Sequence, residues 1–307
     1  MLHNFGGTPP KGANPSAGVV MDSAGNFYGT GVHGGAFAHG VVFKLDTTGH
    51  ETVLHGFAGG DGANPYAGVV FDADGNLYGT TLNGGASGLG VVYKLDPTGV
   101  ETVLHAFAGG ADGQSPWAGI VLDSAGNLYG TTNNGGVADV GTVYKVDPTG
   151  NETVLYSFTG KADGGFPMAG VILDPAGNLY GANNGGADEE GVIYKLDASG
   201  NFTLLFTFNY TDGAYPNTLI RDSAGNLFGS AASGTSSEAG LVYVLDPAGK
   251  QTILHQFVER TNGSNPSGPL IRDSYGDLYG TASVGGTEEG GPGFGYLGGV
   301  VFAIKMN

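Results

Sequence analysis

Residues 64–108 read NPYAGVVFDADGNLYGTTLNGGASGLGVVYKLDPTGVETVLHAFA, and this stretch decides the fold. It contains four short apolar runs, at residues 67–71, 77–81, 91–95 and 102–107, which are separated by Gly, Asp, Asn and Pro. Val, Leu and Tyr fit strands, Gly, Asp and Asn suit tight turns, and dense Gly and Pro disfavour helices. The stretch therefore predicts four short antiparallel strands.

The same pattern occurs six times along the chain. Its landmark proline lies at position 15 and returns after steps of 50, 51, 51, 49 and 50 residues, at Pro65, Pro116, Pro167, Pro216 and Pro266. A repeat of this length with four strands is typical of a propeller blade, whereas helical repeats need a periodicity of about 3.6 residues. The sequence therefore predicts an all-β protein, a six-bladed β-propeller with four antiparallel strands per blade.

The repeats continue along the chain without a linker, so we predict a single domain over residues 1–307. The chain begins Leu2-His3-Asn4-Phe5, which matches the fourth strand of later repeats, and the last repeat stops after its third strand. A closing strand, residues 1–6, would then complete the last blade in a three-plus-one arrangement that leaves few exposed edges. The predicted blades are residues 14–57, 64–108, 115–159, 166–208, 215–257 and 265–305.

Composition limits the classes of partner. The net charge is −17 with only 11 Lys and Arg, which argues against nucleic acid and against anionic membrane surfaces. The chain has no cysteine, so disulfides and thiol catalysis are excluded, and no apolar run is long enough to predict membrane insertion. No signal peptide is present, and we expect an extracellular or cell-surface protein whose leader was removed or trimmed.

A second motif identifies the type of repeat. The pattern D-x-x-G-N-[LF]-[YF]-G, followed by a Gly-Gly pair and GVV[FY]KLD, begins at Asp22, Asp72, Asp123, Asp174 and Asp222 and is altered at Asp273. These residues resemble the bacterial GloVer-type tandem repeat along the whole chain. The resemblance implies an exported or surface-anchored β-propeller. It implies no defined activity, and therefore no catalytic residue.

The loops that precede each landmark proline carry the first candidate site. Four acids and four aromatic residues recur there, and a ring of carboxylates with aromatic side chains near the channel mouth would suit sugars or cations. Asp-Gly before Pro is also a turn signal, and a single tryptophan at such a rim could equally serve packing. The candidate ligand-binding residues are Trp117, Tyr66, Phe166, Tyr215, Asp61, Asp112, Asp163 and Asp212.

The loops between the second and third strands vary most, and they carry the candidate metal ligands. Asp188, Glu189 and Glu190 are adjacent acids that could hold a divalent cation such as calcium, although a solvated acidic loop is the simpler explanation. The sixth loop is the longest and contains Glu288 and Glu289. No other cofactor is predicted.

One set of histidines is predicted to have a packing role. His3, His55, His105 and His255 share one position in the fourth strand, where two other repeats carry Tyr156 and Phe206. A position that accepts Phe is a packing position, so we assign these histidines to blade structure.

Three hypotheses about function follow. The first is a non-catalytic extracellular propeller that serves as a structural or binding module, because turns, strands and caps explain most repeated positions. The alternative is a polysaccharide-binding or polysaccharide-degrading propeller, a lyase or hydrolase that uses acidic rim residues. Self-assembly through strand pairing or face contacts is compatible with the first. The predicted partners are therefore a polysaccharide or another copy of the chain.

Overall fold

The fold was analysed on a computed structural model, which describes residues 2–5, 11–234, 238–258, 262–285 and 298–306. The chain forms two compact units, Met1–Thr159 and Gly160–Asn307, each of which contains three repeats. The described residues form strands and turns, apart from one turn of 3-10 helix at Gly110–Asp112. None of the described residues forms a helix long and apolar enough to cross a membrane. Whether the units behave as the predicted single domain stays a prediction.

The first unit contains three four-stranded antiparallel sheets, of order β2-β3-β5-β6, β7-β8-β9-β10 and β11-β12-β13-β14, and a small β1-β4 pair. Its strands are β1 Gly12–Ala13, β2 Val20–Met21, β3 Phe27–Gly31, β4 His33–Gly34, β5 Val41–Leu45, β6 Glu51–Gly56, β7 Val70–Phe71, β8 Leu77–Thr81, β9 Val91–Leu95, β10 Glu101–Ala106, β11 Val121–Leu122, β12 Leu128–Thr132, β13 Thr142–Val146 and β14 Glu152–Ser157.

The second unit also contains three antiparallel sheets, β15-β16-β17-β18, a five-stranded sheet built on β21-β22-β23, and β24-β25-β26. In the five-stranded sheet, both β19 and β20 pair with β21. The strands are β15 Ile172–Leu173, β16 Leu179–Asn183, β17 Val192–Leu196, β18 Phe202–Thr207, β19 Ala214–Pro216, β20 Ile220–Arg221, β21 Leu227–Ser233, β22 Leu241–Leu245, β23 Gln251–Gln256, β24 Ile271–Arg272, β25 Leu278–Ala282 and β26 Val300–Ile304.

The six sheets, one per repeat, confirm the predicted all-β, six-bladed β-propeller. The second, third and fourth strands lie within one residue of the predicted positions in residues 64–108, but the first strand is only Val70–Phe71. The reason is a competing contact. The carbonyl of Ala67 accepts a hydrogen bond from Thr30 Oγ1 of the preceding repeat, at 2.8 Å, so this part of the chain binds a neighbouring blade instead of its own.

The predicted closing strand has a different outcome. Residues 2–5 lie outside any assigned strand, and the last sheet has three strands among the residues described. The Phe5 and Phe43 ring centroids are 4.9 Å apart, so the N-terminal residues pack on the first repeat as Phe57 packs on the second. The pairing of residues 1–6 with the last blade stays a prediction.

Within each unit, blade cores are completed by an aromatic residue from the preceding repeat. Phe57 is fully buried and lies edge-on to Tyr93 of the next sheet, with ring centroids 5.2 Å apart. Phe107 with Tyr144 and Phe208 with Tyr243 repeat this geometry at 5.1 and 5.3 Å. T-shaped aromatic pairs of this kind add about 0.5–1.5 kcal/mol beyond the area that they bury.

The Asp of the D-x-x-G-N motif organises the turn after the first strand. Asp72 Oδ1 accepts hydrogen bonds from the backbone amides of Asp74 and Asn76, and Oδ2 accepts from Asn76 Nδ2 and the Tyr78 hydroxyl. Burial opposes ionisation of Asp72, but these bonds outweigh it and place the pKa of Asp72 below its ordinary value. The motif is therefore a turn with a charged acceptor.

We expect Asp72→Asn to lower the free energy of unfolding by about 1–2 kcal/mol, because an amide would face the Asn76 amide in place of an acceptor. Since the pKa of Asp72 is lowered on folding, the charged form stabilises the fold above about pH 4, and this contribution is lost as the pH falls. Urea unfolding at pH 7 and pH 3 measures both effects. The control is Asp74→Asn at the exposed neighbouring position, and equal losses in the two variants would contradict this role.

Candidate functional site

The entry loops, which lead from the fourth strand of one repeat to the first strand of the next, share one backbone feature. The residue before the landmark proline is left-handed in every repeat, with φ between 51° and 57°, at Asn14, Asn64, Ser115, Phe166, Tyr215 and Asn265. At Asn64, Ser115, Tyr215 and Asn265 its amide donates to a carbonyl of the preceding loop, for example from Asn64 to His39 and from Tyr215 to Glu190, both at 2.7 Å. The loop therefore imposes this conformation whatever the side chain.

Phe166 and Tyr215 are exceptional at this position. A left-handed conformation costs roughly 1–2 kcal/mol for most residues, whereas Asn adopts it routinely. Both side chains are also exposed, Phe166 at 42% and Tyr215 at 46% of their surface. Local backbone energy favours the Asn that three other repeats have at this position. An exposed aromatic residue in a strained conformation is a departure from local rules of the kind that marks functional sites.

Tyr66 and Trp117 follow the landmark proline in successive repeats, and the structure brings them together. Their rings are stacked, with centroids 4.6 Å apart and planes 18° apart. Both side chains remain partly exposed. Each ring is therefore a packing partner for the other, and the pair also presents aromatic surface beside the landmark prolines of the first unit.

Asp61 and Asp112 close their own loops. Asp61 Oδ1 accepts from the Ala58 amide at 2.7 Å, and its Oδ2 lies 3.1 Å from His55 Nε2. Asp112 contacts the Ala108 amide and His105 in the same way. The turn interpretation of these acids is therefore supported by their hydrogen bonds, while their use as ligand groups stays a prediction.

Asp163 and Asp212 also serve their loops. Asp163 Oδ1 accepts from the Lys161 amide at 3.3 Å, and Asp212 Oδ1 accepts from the Asn209 amide at 2.8 Å. Burial is the main cause of a raised pKa at Asp212, and the charge of Asp188 adds to it. As in the first unit, a ligand-binding role for these carboxylates stays a prediction.

His55 makes polar contacts in addition to the packing contact that the sequence predicts for this set of histidines. The His55 ring lies edge-on to Phe57, with centroids 4.9 Å apart, and also contacts Asp61. Glu101, at the start of the next fourth strand, completes a group whose ligand atoms lie within 4.8 Å of one another. Among the residues that the structure describes, this is the only group of three His, Asp or Glu side chains so close.

Glu101 is the residue that sequence reasoning missed. Its Oε1 atom is buried and has no hydrogen-bond partner. Burial, followed by the charge of Asp61, raises the pKa of Glu101 to about 7. The available signal was a Glu that begins the fourth strand in the first three repeats, at positions 51, 101 and 152. Its proximity to a His and an Asp of the preceding repeat depends on how neighbouring repeats pack.

The acidic loop of the fourth repeat is arranged differently. Asp188 and Glu189 are exposed, and Glu189 has a left-handed φ of 63°. The three candidate ligands Asp188, Glu189 and Glu190 do not form a group whose ligand atoms lie within 4.8 Å of one another. Calcium binding there stays a prediction. Glu288 and Glu289 of the sixth loop lie outside the described residues.

A cavity of about 350 Å³ lies in the second unit between the fourth and fifth repeats. Lys195 and Arg221 line it, but both cations already lie over the ring of Tyr180, at 5.9 and 5.4 Å from its centroid. Cation–π contacts account for these two residues. The two cations that line the cavity are therefore explained without a bound ligand.

One protein-family model matches nearly the whole chain. The model of the Gloeobacter/Verrucomicrobia repeat matches residues 1–121 and 102–294. The chain belongs to this repeat family. The predicted GloVer resemblance is thereby confirmed. A comparison with curated proteins finds no match.

Solved structures similar to this repeat protein share its fold. A gluconolactonase from Xanthomonas campestris is 16% identical with a TM-score of 0.56, and the match covers 88% of this chain and 84% of that one. A protein described as a putative gluconolactonase is 19% identical, TM-score 0.51, with coverages of 88% and 86%. Hydrazine synthase from Kuenenia stuttgartiensis is 16% identical, TM-score 0.57, with coverages of 87% and 73%. At these identities the likeness concerns the fold alone.

We expect Phe166→Asn and Tyr215→Asn each to raise the free energy of unfolding by about 0.5–1 kcal/mol, because Asn relieves the left-handed strain and removes exposed apolar surface. Chemical denaturation of the purified variants measures the gain. Tyr210→Asn is the control, since Tyr210 is equally exposed, at 40%, but its φ is not positive. An equal gain at position 210, or a loss at 166 and 215, would contradict the strain argument.

Glu152 provides a pH-dependent prediction. Burial and the charge of Asp112 raise the pKa of Glu152 to about 7, above the value of about 4.3 for an unfolded chain. The stability that Glu152 contributes is therefore present below about pH 4 and is lost as the pH rises through 7. Glu152→Gln should match the parent at pH 4 and exceed it by about 1–2 kcal/mol at pH 8, after allowance for solvent screening.

Urea midpoints at the two pH values, measured with a chelator present, test this expectation. Glu238→Gln, at an exposed position, should leave the difference unchanged. A variant of Glu152 that is less stable than the parent at pH 8 would show that the carboxylate makes a stabilising contact in its charged form.

Proposed function

We propose that the protein is a non-catalytic, extracellular or cell-surface binding module whose ligand is a polysaccharide. The observation that carries the proposal is the exposure of Phe166 and Tyr215 in a left-handed conformation that folding alone would assign to Asn. Aromatic faces of this kind are suited to the apolar faces of sugar rings. A polysaccharide offers many such faces, so several separate aromatic contacts can act together.

The stacked pair in the first unit supports the same ligand class. Tyr66 and Trp117 lie beside the landmark prolines of successive repeats and keep part of their surface open. Their mutual stacking holds both rings in place before a ligand arrives, which lowers the entropic cost of binding. The first unit thus has a preorganised pair, and the second has two separate exposed rings.

The environment of the entry-loop acids favours binding over catalysis. Glycoside hydrolysis needs two carboxylates that flank the scissile bond at a defined separation. Asp61 and Asp112 use their oxygens for the loop amides and for the neighbouring histidines. Asp212 bonds to Asn209. These contacts support structural roles for the acids and leave the aromatic residues as the ligand contacts.

We expect the double variant Phe166→Asn/Tyr215→Asn to keep its fold and to lose affinity for a bound polysaccharide by about tenfold or more, which corresponds to about 1.4 kcal/mol. The measurement is retention on a panel of immobilised neutral and acidic polysaccharides, followed by titration of the retained one. Trp117 is the only tryptophan of the chain, so quenching of its fluorescence reports ligand at the first unit directly. Trp117→Phe and Tyr66→Ala test that unit separately.

The controls distinguish the alternatives. Tyr210→Asn should bind as the parent does, and a loss of binding there would point to a general surface effect. Release of reducing or unsaturated ends from the polysaccharides would show that the protein is a hydrolase or lyase and not a binding module. Asp163 and Asp188 would then be the first residues to substitute. No retention combined with growth of particles in light scattering would favour self-assembly instead.

A further inference from the structure

The His, Asp and Glu side chains between neighbouring repeats form a series that can be compared within the first unit. At the first junction, His3 Nε2 lies 3.0 Å from Glu51 Oε2, and the other oxygen of Glu51 accepts the Gly12 amide at 2.8 Å. Glu51 Oε1 therefore has a hydrogen bond, whereas Oε2 has the ion-pair contact with His3 and no hydrogen bond. A buried carboxylate is normally compensated by such donors or charges.

At the second junction, the carboxylate of Glu101 has a buried oxygen without a hydrogen-bond partner. Here Asp61 Oδ2 lies 3.1 Å from His55 Nε2, and the carboxylate of Glu101 lies close to this pair. The Oε1 atom of Glu101 is buried and has no hydrogen-bond partner. Two carboxylates and one imidazole therefore meet with a buried acceptor unused. A buried unpaired oxygen of this kind costs free energy that a cation would recover.

The distances fit a common ion. In the tetrahedral geometry that Zn²⁺ prefers, two ligand atoms at about 2.1 Å from the metal are about 3.4 Å apart. His55 Nε2 and Asp61 Oδ2 are 3.1 Å apart, which is close to this separation. All three ligand atoms lie within 4.8 Å, so only a small movement of side chains is needed for a common ion.

The donor atoms indicate the class of ion. One imidazole nitrogen and two carboxylate oxygens are ligands that Zn²⁺ and other first-row divalent metals accept, whereas calcium takes oxygen ligands. We propose that His55, Asp61 and Glu101 bind one first-row divalent cation, for which Zn²⁺ is the probe. The ion would replace the His55–Asp61 hydrogen bond and link the fourth strand of the second repeat to that of the first.

The third junction is an internal comparison. His105, Asp112 and Glu152 are the same residue types in the next repeat, and Glu152 Oε1 is also buried without a partner. These three do not satisfy the 4.8 Å condition. Two neighbouring junctions thus have the same chemistry but different spacing, which provides a matched control within one chain.

The test is calorimetric titration of chelator-treated, full-length protein with Zn²⁺ at pH 7.5, together with the thermal midpoint with and without the ion. The parent should bind one Zn²⁺ and show a raised midpoint. Glu101→Gln should weaken binding at least tenfold and abolish the rise. Glu152→Gln should keep the parent's affinity and its ion-dependent rise, although its midpoint without the ion should be higher than the parent's. Co²⁺ in place of Zn²⁺ should give a visible absorption band that His55→Phe removes.

His55→Phe keeps the experiment interpretable, because Phe206 occupies this strand position in the fifth junction of the natural chain and Phe is compatible with the fold. Binding that survives both Glu101→Gln and His55→Phe would be adventitious binding to surface histidines and would overturn the proposal. Absence of binding by the parent at about 1 mM Zn²⁺, the weak end of the range of affinities that extracellular calcium modules show, would also overturn it. So would a midpoint raised by Ca²⁺ but not by Zn²⁺.

Discussion

Within each unit, the blades depend on an aromatic side chain that one repeat contributes to the core of the next. Phe57 ends the fourth strand of its own repeat, yet it is buried against Tyr93 in the core of the following one. The Tyr ring in turn needs space above the second strand. At the corresponding place in the third repeat, a Cβ on Gly130 would lie 2.5 Å from the Tyr144 hydroxyl, so that position must be Gly. A blade of this type is therefore incomplete without its neighbour, which is the physical reason for a repeat architecture.

The same insertion creates the polar junctions. Because Phe57 crosses to the next blade, His55 and Asp61 on either side of it are carried toward Glu101. The polar group is thus a consequence of the aromatic packing, and its composition can vary without loss of the fold. The sequence shows this variation directly, since Tyr156 and Phe206 replace His in two repeats. A metal or an ion pair at a junction would add to a contact that already exists.

Much of the fold could be predicted from the sequence because it rests on short-range patterns. The strands of residues 77–81 and 91–95 follow from apolar runs between turn residues, and the Asp72 turn follows from residue types that cap their own backbone. The short first strand could not be predicted, because Thr30 of another repeat decides it. The Tyr66–Trp117 stack and the position of Glu101 depend on the register between repeats, which has no local signal in either repeat.

The backbone distinguishes Phe166 and Tyr215 from other exposed aromatic residues such as Tyr210. From the sequence, Phe166 and Tyr215 are candidate ligand-binding residues, but packing beside the proline would also explain them. The left-handed φ of 51° and 56° changes this interpretation, because the same conformation is imposed on Asn in three other repeats at lower cost. Their exposure removes the compensation that burial would bring. Because neither the backbone nor the core gains from these two side chains, the proposed contact with a polysaccharide would supply the gain that folding does not.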